Sequence, residues 1–328
     1  MRVALTGAAG FIGGHLAGAL AERGHGVRAV IRPEHRETPR TRLGAEIARA
    51  DVRDTDALAD AFAGCGAIVH LAALTTRRHA SPADYEAVNV GGTRAVAEAA
   101  SRAGAAHLVL GSTVGVYGRA ASGEAPRPNT PYRRSKWRAE QVARAASVPS
   151  TVVRLPATLG PGTANWIGWV RYVAAGRFRL PGDGCARKTL ADVADVVSGL
   201  VLAIEAHPSG ATSDLAGPEA VPVGTLARLW AEGVGAEVRP GRVPTAALRA
   251  LARLGDVADR RLGVSIPKAH SAEFFAVDAW HPPDAARRDL GYAPRVPIAE
   301  AVARTLGGFR EAGWLPASAL PAPLAAAP

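Results

Sequence analysis

The stretch Thr6-Gly7-Ala8-Ala9-Gly10-Phe11-Ile12-Gly13 constrains this chain more than any other. A β-like run, Arg2-Val3-Ala4-Leu5, leads into it, and apolar residues at Phe11, Ile12, Leu16 and Leu20 follow at helical spacing. The three glycines have separate uses. Gly7 permits a tight turn from strand to helix, Gly10 lets the backbone approach a pyrophosphate, and Gly13 lets the helix pack close to the sheet. The helix start at Phe11 and Ile12 offers N–H donors and a positive dipole end to phosphates. A packing turn without a ligand is the bland alternative. The flanking strand and helix favour dinucleotide binding.

The rest of the chain keeps the rhythm that this opening sets. Strands are expected at 2–5, 26–31, 46–50, 67–71, 107–111 and 151–155, with helices near 11–23, 55–63, 83–103 and 132–146. Strand and helix in alternation imply an α/β fold, a doubly wound parallel sheet of the Rossmann type. After Pro156 the rhythm changes. A Gly/Pro turn leads to an amphipathic stretch with Trp166, Trp169 and Tyr172, and helices are expected near 192–206, 223–234, 245–260 and 297–313, with one more strand in 211–217. The expected division is a nucleotide-binding domain over 1–159 and 184–217, and a smaller discontinuous lobe over 160–183 and 218–314. The Pro/Ala-rich residues 315–328 are expected to be a disordered tail.

Composition excludes several function classes. The formal charge is +10, but Lys stands only at 136, 188 and 268, and the many arginines are scattered in short clusters such as Arg77-Arg78 and Arg133-Arg134. No basic arm with interleaved aromatics is present, so nucleic acid is not an expected partner. No apolar run approaches the roughly 18 residues of a membrane span. Cys65 and Cys185 have neither metal-site nor disulfide-framework spacing. The expectation is a cytoplasmic protein without a metal, monomeric or homodimeric.

The G-x-x-G-x-x-G spacing resembles the extended short-chain dehydrogenase/reductase family, and the resemblance runs along most of the chain. Residues 50–54 (ADVRD) are similar to the family's loop after the third strand, which implies that Asp51 and Val52 meet the adenine. Residues 68–73 (IVHLAA) resemble its fourth strand, whose end, here Leu71, Ala72 and Ala73, passes the nicotinamide side. Asn89 begins an Asn-Val-x-Gly-Thr match at 89–93, and residues 111–118 (GSTVGVYG) resemble the fifth-strand motif. Residues 154–162 (RLPATLGPG) match the sixth-strand exit, with Pro156 beside the cofactor, and 284–295 (DAARRDLGYAPR) resemble a C-terminal helix and turn of many members.

Tyr132 and Lys136 stand four residues apart on an expected helix, so both side chains share one face. The resemblance puts the catalytic tyrosine here, one loop after the fifth-strand motif. The chemistry agrees. Hydride transfer to a carbonyl leaves an alkoxide that needs a proton. A phenol with a pKa of about 10 serves at neutral pH only if its anion is stabilised, and a neighbouring ammonium does so. Lys136 would also bind the nicotinamide ribose. Thr113 would polarise the carbonyl. Ser112 is its rival, and the spacing to Val116-Tyr117-Gly118 favours Thr113.

The expected second strand ends at Arg32, with Arg36 close by, where NAD enzymes place a carboxylate on the ribose hydroxyls. A guanidinium there pairs with a 2′-phosphate, so NADP(H) is favoured over NAD(H). Three branches of the family compete for the substrate. Dehydratases of sugar nucleotides carry Asp-Glu after the catalytic Thr, where this chain has Val114 and Gly115. Many sugar-nucleotide epimerases carry Asn where Ala157 stands, although Arg187 and Lys188 could still meet a diphosphate. Reductases of apolar ketones remain, and Trp166 and Trp169 suit an apolar or aromatic substrate unless they belong to the core. His70 and His107, at strand ends, read as structural. The leading expectation is an NADPH-dependent ketoreductase of a small, apolar or aromatic, secondary-metabolite-like carbonyl compound, with catalytic Thr113, Tyr132 and Lys136. The alternatives are a nucleotide-sugar epimerase or 4-ketoreductase, and a non-catalytic NADP-sensing regulator.

Overall fold

The computed structural model describes residues 1–35, 45–75, 80–120, 123–241, 243–262 and 267–316. Arg36, the Arg77-Arg78 pair and the tail residues 317–328 lie outside them. The first six strands are β1 (Arg2–Thr6), β2 (Gly26–Ile31), β3 (Ala45–Arg49), β4 (Ala67–His70), β5 (His107–Thr113) and β6 (Ser150–Leu155). Four short strands follow: β7 (Ala157–Leu159), β8 (Arg179–Leu180), β9 (Arg187–Lys188) and β10 (Leu190–Asp192). Then comes β11 (Thr212–Asp214), which pairs with β6. The main sheet has seven strands in the order β11-β6-β5-β4-β1-β2-β3, and its pairs are parallel. The strand order reverses between β1 and β4, where Thr6 is level with His70. A crevice opens there at the strands' carboxyl ends.

Helices cover both faces. They are α1 (Phe11–Glu22), α2 (Thr55–Phe62), α3 (Pro82–Tyr85), α4 (Gly92–Arg102) and α5 (Pro131–Arg144), with a π-helical turn over 86–91 joining α3 to α4. Side chains of β1 alternate between the two cores. Val3 and Leu5 pack with Leu16 and Leu20 of α1, while Ala4 faces Leu58 and Phe62 of α2 and Val96 of α4. Both faces are apolar because both are buried. The expected helix over 83–103 is three consecutive segments: α3, the π-helical stretch at 86–91, and α4.

The lobe begins at the sixth-strand exit. The helices that follow are α6 (Ile167–Ala174), α7 (Val193–Ala206), which packs back on α1, α8 (Val223–Gly233), α9 (Thr245–Leu262), α10 (Pro267–Ala276), α11 (Asp284–Leu290) and α12 (Ile298–Glu311). Two further short strands, β12 (Val221–Pro222) and β13 (Arg239–Pro240), pair with β9 and β8. The lobe's own core gathers Val170, Val173, Phe178, Leu226, Trp230, Val302, Leu306, Phe309 and Leu315. Ala286, Leu290 and Tyr292, although far along the chain, join the sheet's core with α7. The two units thus interleave. His15 of α1 donates to the Pro161 carbonyl at 2.9 Å, and the Thr305 hydroxyl of α12 accepts from the Gly160 N–H at 2.7 Å.

Candidate active site

Close approach explains the opening glycines. Gly7 has φ +77°, and a Cβ there would lie 2.7 Å from the Ala72 nitrogen, so the turn and the end of β4 touch through bare backbone. A Cβ on Gly13 would fall 2.2 Å from the Gly7 carbonyl oxygen. Gly10 caps α1 without a side chain, and no acidic residue stands in the first turn. The N–H groups at Phe11 and Ile12 therefore keep their donors and their dipole field for an anion. Beneath the turn, the Thr6 hydroxyl bonds His70 at 2.7 Å and accepts from the Ala72 N–H at 3.4 Å. Burial drives the His70 imidazole down to about 3, with a smaller push from the Lys136 cation, so it stays neutral and acts as a brace. This cradle fits the pyrophosphate of a dinucleotide.

Leu71, Ala72 and Ala73 follow β4 along the crevice. Leu71 crosses the next strand where a Cβ on Gly111 would be 2.4 Å from its methyl carbon, so the glycine makes room for it. Asn89, in the π-helical turn, is buried. It accepts from the Leu74 N–H at 2.7 Å, donates to the Leu74 carbonyl at 3.1 Å, and donates to the Ser135 hydroxyl at 2.8 Å. Ser135 in turn donates to the Tyr132 carbonyl at 2.8 Å. Asn89 thus ties the loop after β4 to the first turn of α5.

Helix α5 starts where its sequence says it should. Thr130 accepts from the Arg133 N–H at 3.2 Å, and Pro131 occupies the first turn. Its buried face carries Ser135, Lys136, Ala139, Glu140 and Ala143, with half-buried Tyr132 at the leading end. The Lys136 ammonium donates to the Gly111 carbonyl at 2.7 Å. Burial draws it down to about 8, partly offset by Glu140. Burial pushes the Tyr132 phenol up to about 12, against a smaller pull from the Arg133 cation. Two residues beyond Gly111, Thr113 caps a 3-10 turn, its hydroxyl accepting from the Gly115 N–H at 3.1 Å. That hydroxyl's own proton is left to donate. Ser112 is committed elsewhere. It is buried and donates to Glu140 at 2.6 Å. The geometry thus leaves Thr113, which the spacing also favours, with the freer hydroxyl of the two.

Past the carboxyl end of β2, Arg32 is exposed and pairs with Glu34 at 3.0 Å. Asp51 is taken by Arg53 through contacts of 2.8 Å, and that hydrogen bond, with help from the Arg32 charge, holds its carboxyl below the usual range. Val52 is buried and packs on Gly92. Pro156 is buried, and its carbonyl accepts from Thr158 at 3.0 Å.

In the lobe, Trp166 and Trp169 are half-buried members of one aromatic group. Their centroids are 6.0 Å apart, Trp166 lies 6.2 Å from Trp230, and Trp169 lies 5.5 Å from Phe178. Both also touch Phe274 of α10. Phe274 in turn lies under the Lys188 ammonium at 5.0 Å, and its neighbour Glu273 accepts from Arg133 at 2.6 Å, one residue from Tyr132. The aromatic group is thus joined to helix α5 through α10. Arg187 is not brought to this cluster. It is exposed and pairs with Asp278 at 3.0 Å, while Lys188 beside it is buried and bonds the Val277 carbonyl. Sequence reasoning missed Glu273 because residues 267–276 show no helical apolar stripe. Glu140 was within reach, since it continues the Tyr132–Lys136 face by one more turn.

Comparison with known proteins agrees with this architecture. The profile of the NAD dependent epimerase/dehydratase family matches residues 3–216. The chain is 32% identical to a 4-hydroxy-2-methyl-3-oxo-4-farnesyl-3,4-dihydroquinoline-1-oxide ketoreductase of Stigmatella aurantiaca, over 98% of this chain and 99% of the other. It is 31% identical to a 2-alkyl-3-oxoalkanoate reductase of Stenotrophomonas maltophilia, over 93% and 98%. Among solved structures, MoeE5 in complex with UDP-glucose and NAD superposes with a TM-score of 0.74 at 26% identity, covering 95% of this chain and 99% of that one.

Proposed function

The chain belongs to the NAD-dependent epimerase/dehydratase family, and within it we propose that the protein is an NADPH-dependent ketoreductase of a small, apolar or aromatic carbonyl compound, with Tyr132 as proton donor. The observation that carries this reading is the end of β5, where Lys136 bonds Gly111 two residues before Thr113 and one helical turn after Tyr132. The Gly7–Gly13 turn and the start of α1 hold the pyrophosphate, Leu71, Ala72 and Ala73 line the nicotinamide side, and Arg32 takes the 2′-phosphate. Its pairing with Glu34 is an exposed one, a class worth about 0–1 kcal/mol, so an incoming phosphate readily displaces it. The bound dihydronicotinamide supplies the hydride. Thr113 donates a hydrogen bond to the substrate carbonyl and draws charge to its oxygen. Tyr132 gives that oxygen its proton, and the Lys136 ammonium stabilises the tyrosinate left behind. Trp166, Trp169 and Phe274 offer the apolar wall. The named activities of the two full-length relatives, both ketone reductions, agree with this chemistry. Free Cys65 and Cys185 are compatible with a reducing, cytoplasmic setting.

The likeness to MoeE5 favours a second reading, a nucleotide-sugar epimerase or 4-ketoreductase. Against it stands Ala157 in place of a phosphate-facing Asn. The test is NADPH oxidation over a panel of aromatic ketones, 3-oxoacyl compounds and UDP-4-keto sugars, with wild type and Tyr132→Phe. The expected result is turnover of an apolar ketone, lowered roughly 10²–10⁴-fold in Tyr132→Phe with NADPH affinity retained. Turnover of the UDP-sugar alone supports the second reading, and an unimpaired Tyr132→Phe removes the role given to the phenol.

A further inference from the structure

Behind the catalytic helix lies a buried polar group that the reduction scheme does not use. The Glu140 side chain has no exposed surface. It accepts from the Ser112 hydroxyl at 2.6 Å, from Arg154 Nε at 3.0 Å and Nη2 at 2.8 Å, and from the half-buried Arg144 at 2.9 Å. Arg154 of β6 continues the group. Its Nη1 donates to the Tyr117 hydroxyl at 2.7 Å, and that hydroxyl donates to Asp214 of β11 at 2.6 Å. The Tyr117 ring stacks on His281 of the lobe with centroids 4.0 Å apart.

Two facts give this group a bearing on chemistry. First, α5 is fastened to one short strand end at successive residues: Lys136 to Gly111 and Glu140 to Ser112, with Thr113 next in line. The two fastenings are one helical turn apart, so together they fix both the rotation and the height of α5 against β5. Tyr132, one turn further towards the helix start, inherits that setting relative to Thr113. Second, Glu140 is the charged neighbour of Lys136 on the buried face. Among the described residues, the Gly111 carbonyl of β5 accepts from Lys136, and His70 of β4 feels its charge; Tyr132 stands one turn before it on α5. His70 is held neutral by burial.

We propose that Glu140 is a positioning residue of the reduction site: its carboxylate pins the catalytic helix to the strand end that carries Thr113 and supplies the buried negative charge that faces Lys136. The proposal rests on the ketoreductase reading for its consequence in turnover, but not for its effect on the lysine. Arg154 compensates that charge and keeps Glu140 from being an isolated buried ion. Arg144 remains as a second partner when Arg154 is removed.

Because the chain has only three lysines, 13C-labelled lysine resolves them by NMR, and Lys136→Met assigns the signal. The lysine titration is followed in wild type, Glu140→Gln and Arg154→Met, with circular dichroism and a cooperative thermal transition as the check that each variant is folded, and NADPH binding recorded beside it. In Glu140→Gln the Lys136 midpoint is expected to fall by about one unit, as loss of an adjacent opposite charge implies. In Arg154→Met, which breaks the same pair but leaves the carboxylate, the midpoint is expected to stay or rise. Where a reducible ketone is in hand, the alkaline limb of kcat/KM moves with the Lys136 midpoint. Should Glu140→Gln fail to fold, Glu140→Asp is read instead, and it is expected to keep the wild-type midpoint with lowered kcat. Equal midpoints in wild type and Glu140→Gln, or the same fall in both pair-breaking variants, overturn the proposal. Absence of ketone reduction with the expected midpoints leaves the inference standing and removes only the ketoreductase reading.

Discussion

A Cβ on Gly13 would lie 2.2 Å from the Gly7 carbonyl oxygen, whereas a Cβ on Gly307, in helix α12 of the lobe, meets nothing within 4 Å. The contrast concerns how the two ligand-facing regions are built rather than every glycine, since the lobe also holds tight ones such as Gly241, whose Cβ would lie 2.0 Å from the Leu180 carbonyl oxygen. In the nucleotide half the site is set by backbone against backbone, Gly7 on Ala72 and Gly13 on Gly7, and by buried polar braces such as Thr6–His70 and Asn89–Ser135. In the lobe it is set by aromatic rings 5.5–6.3 Å apart between centroids, joined to helix α5 through Glu273 and its partners Arg119, Asn129 and Arg133. Backbone contacts leave no room for change, because no rotamer can relieve them. Ring contacts are adjustable, since each ring can tilt or be replaced by another of similar size. A half built the first way suits a ligand that does not vary. A half built the second way suits one that differs between relatives.

The largest expected effect tests the rigid half. Gly13→Ala forces a shift of backbone, at a cost of about 3 kcal/mol or more, and is expected to abolish NADPH binding measured by calorimetry. The same substitution at Gly307 is expected to raise stability by about 0.5–1 kcal/mol through helix propensity. Similar outcomes at the two glycines break the comparison.

A smaller effect is expected at Arg32, which is exposed and belongs to the rim rather than the cradle. If Arg32 takes the 2′-phosphate as proposed, replacing it by Asp removes a charge-assisted contact worth about 1.5–3 kcal/mol. NADPH affinity is expected to drop roughly 10–100-fold, with NADH affinity kept or raised. Equal affinity of the wild type for the two cofactors removes the 2′-phosphate argument.

The smallest effect belongs to the lobe. Trp166→Phe and Trp169→Phe keep an aromatic ring in the group and are expected to cost about 1 kcal/mol each, well short of a full truncation. If the rings also form the substrate wall, KM for an apolar ketone rises several-fold while NADPH affinity does not change. A loss of thermal stability with KM unaltered assigns both rings to the core alone.

The nucleotide half was the more legible region, and the reason is local. Turn glycines, strand-to-helix alternation and a four-residue Tyr–Lys spacing are properties of a few adjacent residues, and the expected strands at 26–31, 67–71 and 107–111 match β2, β4 and β5 closely. Helix α10 was not legible, because its apolar residues follow no helical stripe and its Glu273 makes sense only against Arg133, 140 residues earlier. The π-helical turn at 86–91 was hidden for a related reason. It serves to aim Asn89 at Ser135, a partner 46 residues away.

By itself the sequence determined the phosphate-binding turn, the doubly wound order of elements and the face shared by Tyr132 and Lys136, since each follows from backbone geometry repeated over a short span. Only the tertiary structure showed that Ser112 is held by Glu140, 28 residues on. It also turned Lys188 inward while pairing Arg187 with Asp278, 91 residues away. These outcomes depend on which distant side chain arrives first at a buried polar atom, and no local pattern encodes that.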